Sequence, residues 1–169
     1  MLALVSTAAT AARADGLDQS NQMMFGVMGA YVPRQNDLDE DVAAVGHYVS
    51  YSHSLGMVYV GVRLAISYGW LPSGAAGQQF LIEPDTFVGL RFKIGKPLAL
   101  QLEVGTGPLV NGGEGFATAI VDHTYTRGAV QWTVIKSVSL EAFAGPSFVI
   151  GPYTTGVFAE FGLGGGWSF

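Results

Sequence analysis

Residues 156–169 (GVFAEFGLGGGWSF) alternate from end to end. Val157, Ala159, Phe161, Leu163, Trp167 and Phe169 fall on one face, with Gly165 among them, while Phe158, Glu160, Gly162, Gly164, Gly166 and Ser168 fall on the other. Side chains of a β-strand point alternately to its two faces, so this stretch reads as one strand with an apolar face and a small, mostly polar one. It is far longer than the usual soluble strand of about 5–6 residues. An apolar strand face of that length needs something to bury it, and lipid is the reading that fits the rest of the chain.

Composition points the same way. Apolar residues make up 49% of the 169 and charged residues 12%, about half the charge of an ordinary soluble domain. Yet no uninterrupted apolar run reaches the roughly 18 residues of a membrane helix. High hydropathy delivered in short alternating pieces is the signature of a membrane barrel, because lumen-facing positions dilute the lipid-facing ones. The chain has no cysteine, which excludes a disulfide framework and any thiolate metal site. Its net charge of −5 and scattered basic residues argue against nucleic acid as a partner.

Residues 1–14 (MLALVSTAATAARA) read as a secretory signal with an Ala12-Arg13-Ala14 cleavage site, although no basic residue precedes the apolar run. Residues 15–23 read as a short periplasmic leader, and 24–169 as the barrel. Within it the alternation and turn residues predict eight strands, at 24–33, 43–53, 57–70, 85–94, 98–110, 127–135, 138–150 and 156–169. The joins 34–42, 71–84, 111–126 and 151–155 are mostly long, and 54–56, 95–97 and 136–137 are tight. Long extracellular loops alternating with short periplasmic turns are the outer-membrane pattern. The expected fold is therefore an all-β, eight-stranded antiparallel up-and-down transmembrane β-barrel. Residues 116–135 are the ambiguous stretch: β-favouring throughout, they read as a loop or extension followed by strand six, or alternatively as two strands.

On these features the chain resembles small eight-stranded outer-membrane barrels of the OmpA/OmpX type. The alternating strands with long and short joins carry the resemblance, and so does the ending Gly164-Gly165-Gly166-Trp167-Ser168-Phe169. In such families a glycine followed by two aromatics spaced by one residue is the signal read by the barrel-assembly machinery, here Gly164, Trp167 and Phe169. The resemblance implies bacterial outer-membrane lipid and lipopolysaccharide as surroundings and a monomer. It also implies an interior network of charges.

The alternation places Arg63, Arg91, Lys93, Glu103, Glu141 and Glu160 inside, with Gln101 and Gln131 beside them. A buried unpaired charge costs several kcal/mol, so these groups should pair into a lumen plug, or into a gate if they re-pair. Tyr68 and Trp70 at one end of the apolar faces, and Trp132, Trp167 and Phe169 at the other, suit the two membrane interfaces.

Other candidates are weaker. Asp37-Leu38-Asp39-Glu40-Asp41 begins like a calcium loop, but Val42 stands where glycine is needed and Tyr48 where the closing glutamate is needed. It reads as a solvated loop, or as a weak bridge through divalent ions to lipopolysaccharide phosphates. His47, Ser50, Ser52, His53 and Ser54 raise the possibility of a lipid A-modifying barrel enzyme. A nucleophile needs its base within hydrogen-bond reach, and His47 and His53 share a face opposite Ser50 and Ser52. His123 falls in the third loop without a visible partner. No hydrolase, zinc-protease or phosphate-loop motif occurs, and no cofactor is expected. The function expected is non-enzymatic: structural, surface contact, or slow permeation of small solutes.

Overall fold

The computed structural model describes residues 21–33, 41–70, 79–95, 97–113, 116–150 and 155–169. They form a closed barrel of eight antiparallel strands in sequence order: β1 (Asn21–Val32), β2 (Val42–Leu55), β3 (Val58–Trp70), β4 (Gln79–Lys93), β5 (Leu98–Gly113), β6 (Phe116–Ile135), β7 (Val138–Ile150) and β8 (Thr155–Ser168). β8 closes on β1, with Met23 opposite Trp167 and Gly29 opposite Phe161. Beyond that ladder, Asn21 and Phe169 exchange two backbone hydrogen bonds of 2.9 Å. Closure removes the two free sheet edges that an eight-stranded ribbon would expose.

The pleat sorts the residues as the alternation predicts. On β3 Val60, Val62, Leu64, Ile66 and Tyr68 are exposed on the outside, while Tyr59, Arg63, Ala65 and Ser67 are buried inside. The same exposed apolar face runs around the barrel through Val88, Leu90, Leu102, Val104, Val130, Leu140, Phe161 and Leu163. A contiguous apolar surface of this extent suits lipid and not water. The inside is packed. An eight-stranded barrel is narrow enough for side chains to fill it, and here rings from one strand lie over glycines of the next. An added Cβ at Gly89 would strike the Tyr59 ring, one at Gly105 the Tyr125 ring, and one at Gly164 the Tyr48 hydroxyl.

Four boundaries differ by three residues or more from those expected. β1 starts at Asn21, so the end of the expected leader is strand. Residues 1–20, which hold the expected signal and the rest of the leader, lie outside the described residues. β4 starts at Gln79, and residues 79–84 are strand where a loop was expected. Pro84 explains the misreading, since proline lacks the ladder N–H and signals a break. The strand passes through it: pairing with β5 lapses between Ile82↔Val110 and Thr86↔Thr106 and resumes in the same register. β5 runs on to Gly113, and β6 is one 20-residue strand, so the expected third loop is a hairpin joined at 114–115. This answers the ambiguity at 116–135: the stretch is one strand with an extension, and neither a loop followed by a strand nor two strands. β6 meets β7 only from Asp122↔Ile150 onward, while it pairs with β5 up to Gly113↔Phe116. The tip of this hairpin therefore projects beyond β7.

β2 and β3, β4 and β5, and β6 and β7 follow one another at one end of the barrel, where 56–57 and 136–137 are tight turns, hereafter the turn end; the opposite end, where the other strand ends lie, is the loop end. Gly56 takes φ 75° in the first tight turn, a conformation costly for residues with a Cβ.

Candidate functional site

The inward charges form two clusters stacked along the lumen, with the Tyr125 ring between them. The turn-end cluster is built from β4 to β7, with Gln22 of β1 and Ser54 of β2 beside them. Arg127 on β6 lies opposite Glu103 on β5, and its guanidinium meets that carboxylate at 2.7 Å and 3.1 Å. Arg127 also lies 4.4 Å over the Phe143 ring, a contact that favours a desolvated cation. Arg91 donates to Gln22 Oε1 at 2.6 Å and to Ser54 Oγ at 3.1 Å. The Gln101 amide, with its oxygen turned to Arg91 Nε at 3.1 Å and its nitrogen to Glu141 at 3.2 Å, joins the second cation to the second carboxylate. Two arginines thus face Glu103 and Glu141, and the cluster is neutral as a whole.

The loop-end cluster is different. Arg63 on β3 donates to Asp85 Oδ2 through both Nε (3.1 Å) and Nη2 (2.7 Å). Its Nη1 reaches Glu160 Oε2 at 3.3 Å, and Glu83 Oε2 lies 3.7 Å from Nη2. His123 sits between carboxylates, Nδ1 3.4 Å from Asp85 Oδ1 and Nε2 3.2 Å from Glu160 Oε1. Ser147 donates to Glu160 Oε1 at 2.7 Å. All of these side chains are buried, and one guanidinium serves three carboxylates. The Tyr125 ring separates the two clusters: Arg63 stacks 4.1 Å from its centroid, and its hydroxyl donates to Glu103 at 2.9 Å.

Of the residues expected in the lumen, Arg63, Gln101, Glu103, Gln131, Glu141 and Glu160 are buried there, and Arg91 is half-buried. Lys93 is not part of the network. It shares the inward parity but stands at the last rung of β4, where it is exposed at the rim. Glu83, Asp85, His123 and Arg127 were missed. His123, placed by sequence in a loop without a partner, is in β6 and fully buried. Asp85 and Arg127 were within reach of the alternation, since Asp85 keeps the parity of Arg91 and Arg127 that of Gln131. Glu83 was hidden behind Pro84, and His123 in the stretch read as loop.

The serine and histidine cluster of β2 does not assemble. Ser50, Ser52 and Ser54 are buried inside while His47 is exposed on the outer face. His53 Nδ1 lies 2.9 Å from Asn21 Oδ1, and Ser54 is engaged by Arg91. Tyr68 is exposed near the loop end, and Trp132, Trp167 and Phe169 are exposed near the turn end. Trp167 stacks on Phe25 with ring centroids 5.5 Å apart. The Trp70 side chain and residues Asp37, Asp39 and Glu40 lie outside the described residues. Asp41 is exposed and accepts a 2.6 Å hydrogen bond from the Tyr31 hydroxyl.

No family model matches the chain, and no curated protein does. Solved structures do. Neisserial surface protein A (NspA) superposes with a TM-score of 0.70 at 11% identity, over 89% of this chain and 98% of that one. Ail, the attachment invasion locus protein of Yersinia pestis, gives 0.58 at 13% identity over 90% and 99%. The outer membrane protein OprG from Pseudomonas aeruginosa gives 0.54 at 8% identity over 91% and 98%. The chain has the fold of the small outer-membrane barrels. At 8–13% identity this likeness is one of fold alone.

Proposed function

We propose that this protein is a non-enzymatic barrel of the bacterial outer membrane, monomeric, with a structural role and a loop end that faces the cell's surroundings. The observation that carries this reading is the filled lumen. Arg127, Glu103, Tyr125, Arg63, Asp85 and Glu160 make an unbroken series of contacts along it. A water path would require separating charge pairs that hold one another in a medium of low dielectric. Likeness of fold to NspA, Ail and OprG supports the outer-membrane setting, as does the exposed apolar belt. Lipopolysaccharide around the loop end, and the barrel-assembly machinery acting on Gly164, Trp167 and Phe169 during biogenesis, belong to the same reading.

Planar-bilayer recording tests the plug. Purified barrel should give no steady single-channel current in 1 M salt, on the order used for small pores, and Glu103→Ala should give flickering conductance. Regular channels from the wild-type protein would sink the plugged reading in favour of permeation. Lipid A from cells overproducing the protein should be unchanged in mass. A mass shift that disappears in Ser54→Ala would make the protein an enzyme instead.

A further inference from the structure

We propose that Glu83, His123 and Glu160 form a buried site for one divalent transition-metal ion of the zinc class, within the loop-end half of the lumen. The three side chains come from β4, β6 and β8, and each offers a ligand atom within 4.8 Å of the other two. Zinc holds imidazole nitrogen and carboxylate oxygen at about 2.0–2.2 Å, so modest turns of the two glutamates close the set around an ion. A mixed nitrogen and oxygen set favours a first-row transition ion over calcium or magnesium, which take oxygen alone.

Three further observations point to an ion here. Both Glu83 oxygens are buried without a hydrogen-bond partner among the described residues, Oε2 lying 3.7 Å from Arg63 Nη2, and the His123 ring is held only by contacts of 3.4 Å and 3.2 Å to Asp85 and Glu160. Such groups are rarely left unsatisfied in a protein interior. Secondly, Arg63 occupies Asp85 Oδ2 and Glu160 Oε2, while Asp85 Oδ1 and Glu160 Oε1, the latter also accepting from Ser147 at 2.7 Å, face the imidazole. Ligation through Nε2 would keep Nδ1 beside Asp85, the arrangement in which a metal-bound histidine donates its second N–H to a carboxylate. Thirdly, the charges balance. Among the described residues and with a neutral imidazole, Glu83, Asp85 and Glu160 against Arg63 leave two surplus negative charges, whereas the turn-end cluster needs no added cation.

Phe158 stacks on His123 with centroids 5.6 Å apart and, with Ala30 and Ala44, closes the loop-end side of the site. The ion is therefore taken up as the barrel folds and exchanges slowly afterwards.

The test is to refold the full barrel in detergent with micromolar Zn²⁺, pass it through a chelating column and measure zinc by mass spectrometry. Close to one zinc per folded barrel is expected, released when the barrel is heat-unfolded. Fewer than about one in ten, at a Zn²⁺ level that saturates ordinary protein sites, would overturn the proposal; in that case an imidazolium and a bound proton balance the cluster. Glu83→Gln, of nearly the same size, should fold by heat-dependent gel mobility and lose at least tenfold in zinc content, and full retention would place the ion elsewhere. Should that variant not fold, wild-type barrel refolded with Co²⁺ decides. A visible d–d absorption that Zn²⁺ suppresses during refolding is expected, and its absence would count against these ligands.

Discussion

The Tyr125 ring on β6 lies where a Cβ on residue 105 of β5 would stand, so the close approach needs glycine there. Gly105→Ala must push the ring away from its hydrogen bond to Glu103 and its stack on Arg63, so we expect a loss of about 1–3 kcal/mol, the usual range for overpacking, read from urea unfolding in detergent. Gly128, where an added Cβ meets nothing, is the control: Gly128→Ala should leave the midpoint nearly unchanged. A second expectation concerns the Arg127–Glu103 pair. Removing one partner of a buried pair strands the other and costs about 3–5 kcal/mol, while replacing both is often near neutral. Arg127→Met alone should therefore destabilise more than Arg127→Met combined with Glu103→Gln, and an equal or larger loss in the double variant would show that the two side chains contribute independently of one another. The alternation could place Arg63, Glu103 and Glu160 inside because each lies in a strand whose parity is unambiguous. It could not show which charges would meet, because Arg63 reaches Asp85 and Glu160 across three different strands.

Strand β3 is the element whose two faces were clearest in sequence, whereas β4 was expected to begin six residues later than it does. The difference is Pro84. Its missing N–H reads as an end of strand, but at a barrel wall one lapsed stretch of ladder with β5 is tolerated while the β3 side, Leu64↔Pro84 included, stays in register. The same reasoning applies to β6, whose first residues are β-favouring and find a partner in an equally extended β5. Local pattern cannot tell a projecting hairpin from a loop, since the partner decides. The two elements offer a test of where lipid ends. Leu64 is on the outer face in the middle of β3, whereas Ile120 is on the outer face of the β6 extension, beyond its last pairing with β7. An arginine at mid-bilayer on the lipid face costs roughly 2–4 kcal/mol, and near the interface about 0–1. Leu64→Arg should then lower the stability of barrel folded in lipid vesicles by the larger amount and Ile120→Arg by the smaller, measured by denaturant titration of tryptophan fluorescence. Equal losses would mean that the hairpin tip is also immersed.

At the scale of the whole molecule the two ends of the described chain meet, and the closing rung separates two demands on the same residues. Asn21 and Phe169 exchange a pair of backbone hydrogen bonds at the turn-end rim, and the Asn21 side chain accepts from the Tyr51 hydroxyl at 2.7 Å. The eight-strand count was legible because turns and alternation recur along the whole chain. The closing register was not, since it depends on how β1 and β8 slide past one another once the lumen charges have paired. Phe169 is exposed, and water or headgroups at the rim can satisfy the backbone groups that it now pairs, so its contribution to equilibrium stability should be small. A hydrogen bond of this kind contributes about 0.5–1.5 kcal/mol net. If Trp167 and Phe169 serve chiefly as the mark by which assembly machinery engages the last strand, removal of Phe169 should act on biogenesis far more than on the finished barrel. The expected result is a purified, refolded variant whose unfolding midpoint lies close to that of the wild type, together with a several-fold fall in heat-modifiable barrel recovered from the outer-membrane fraction of cells. A variant that assembles normally in cells but unfolds markedly earlier in detergent would reverse the assignment, making the terminal aromatic a part of the closure and not a mark for assembly.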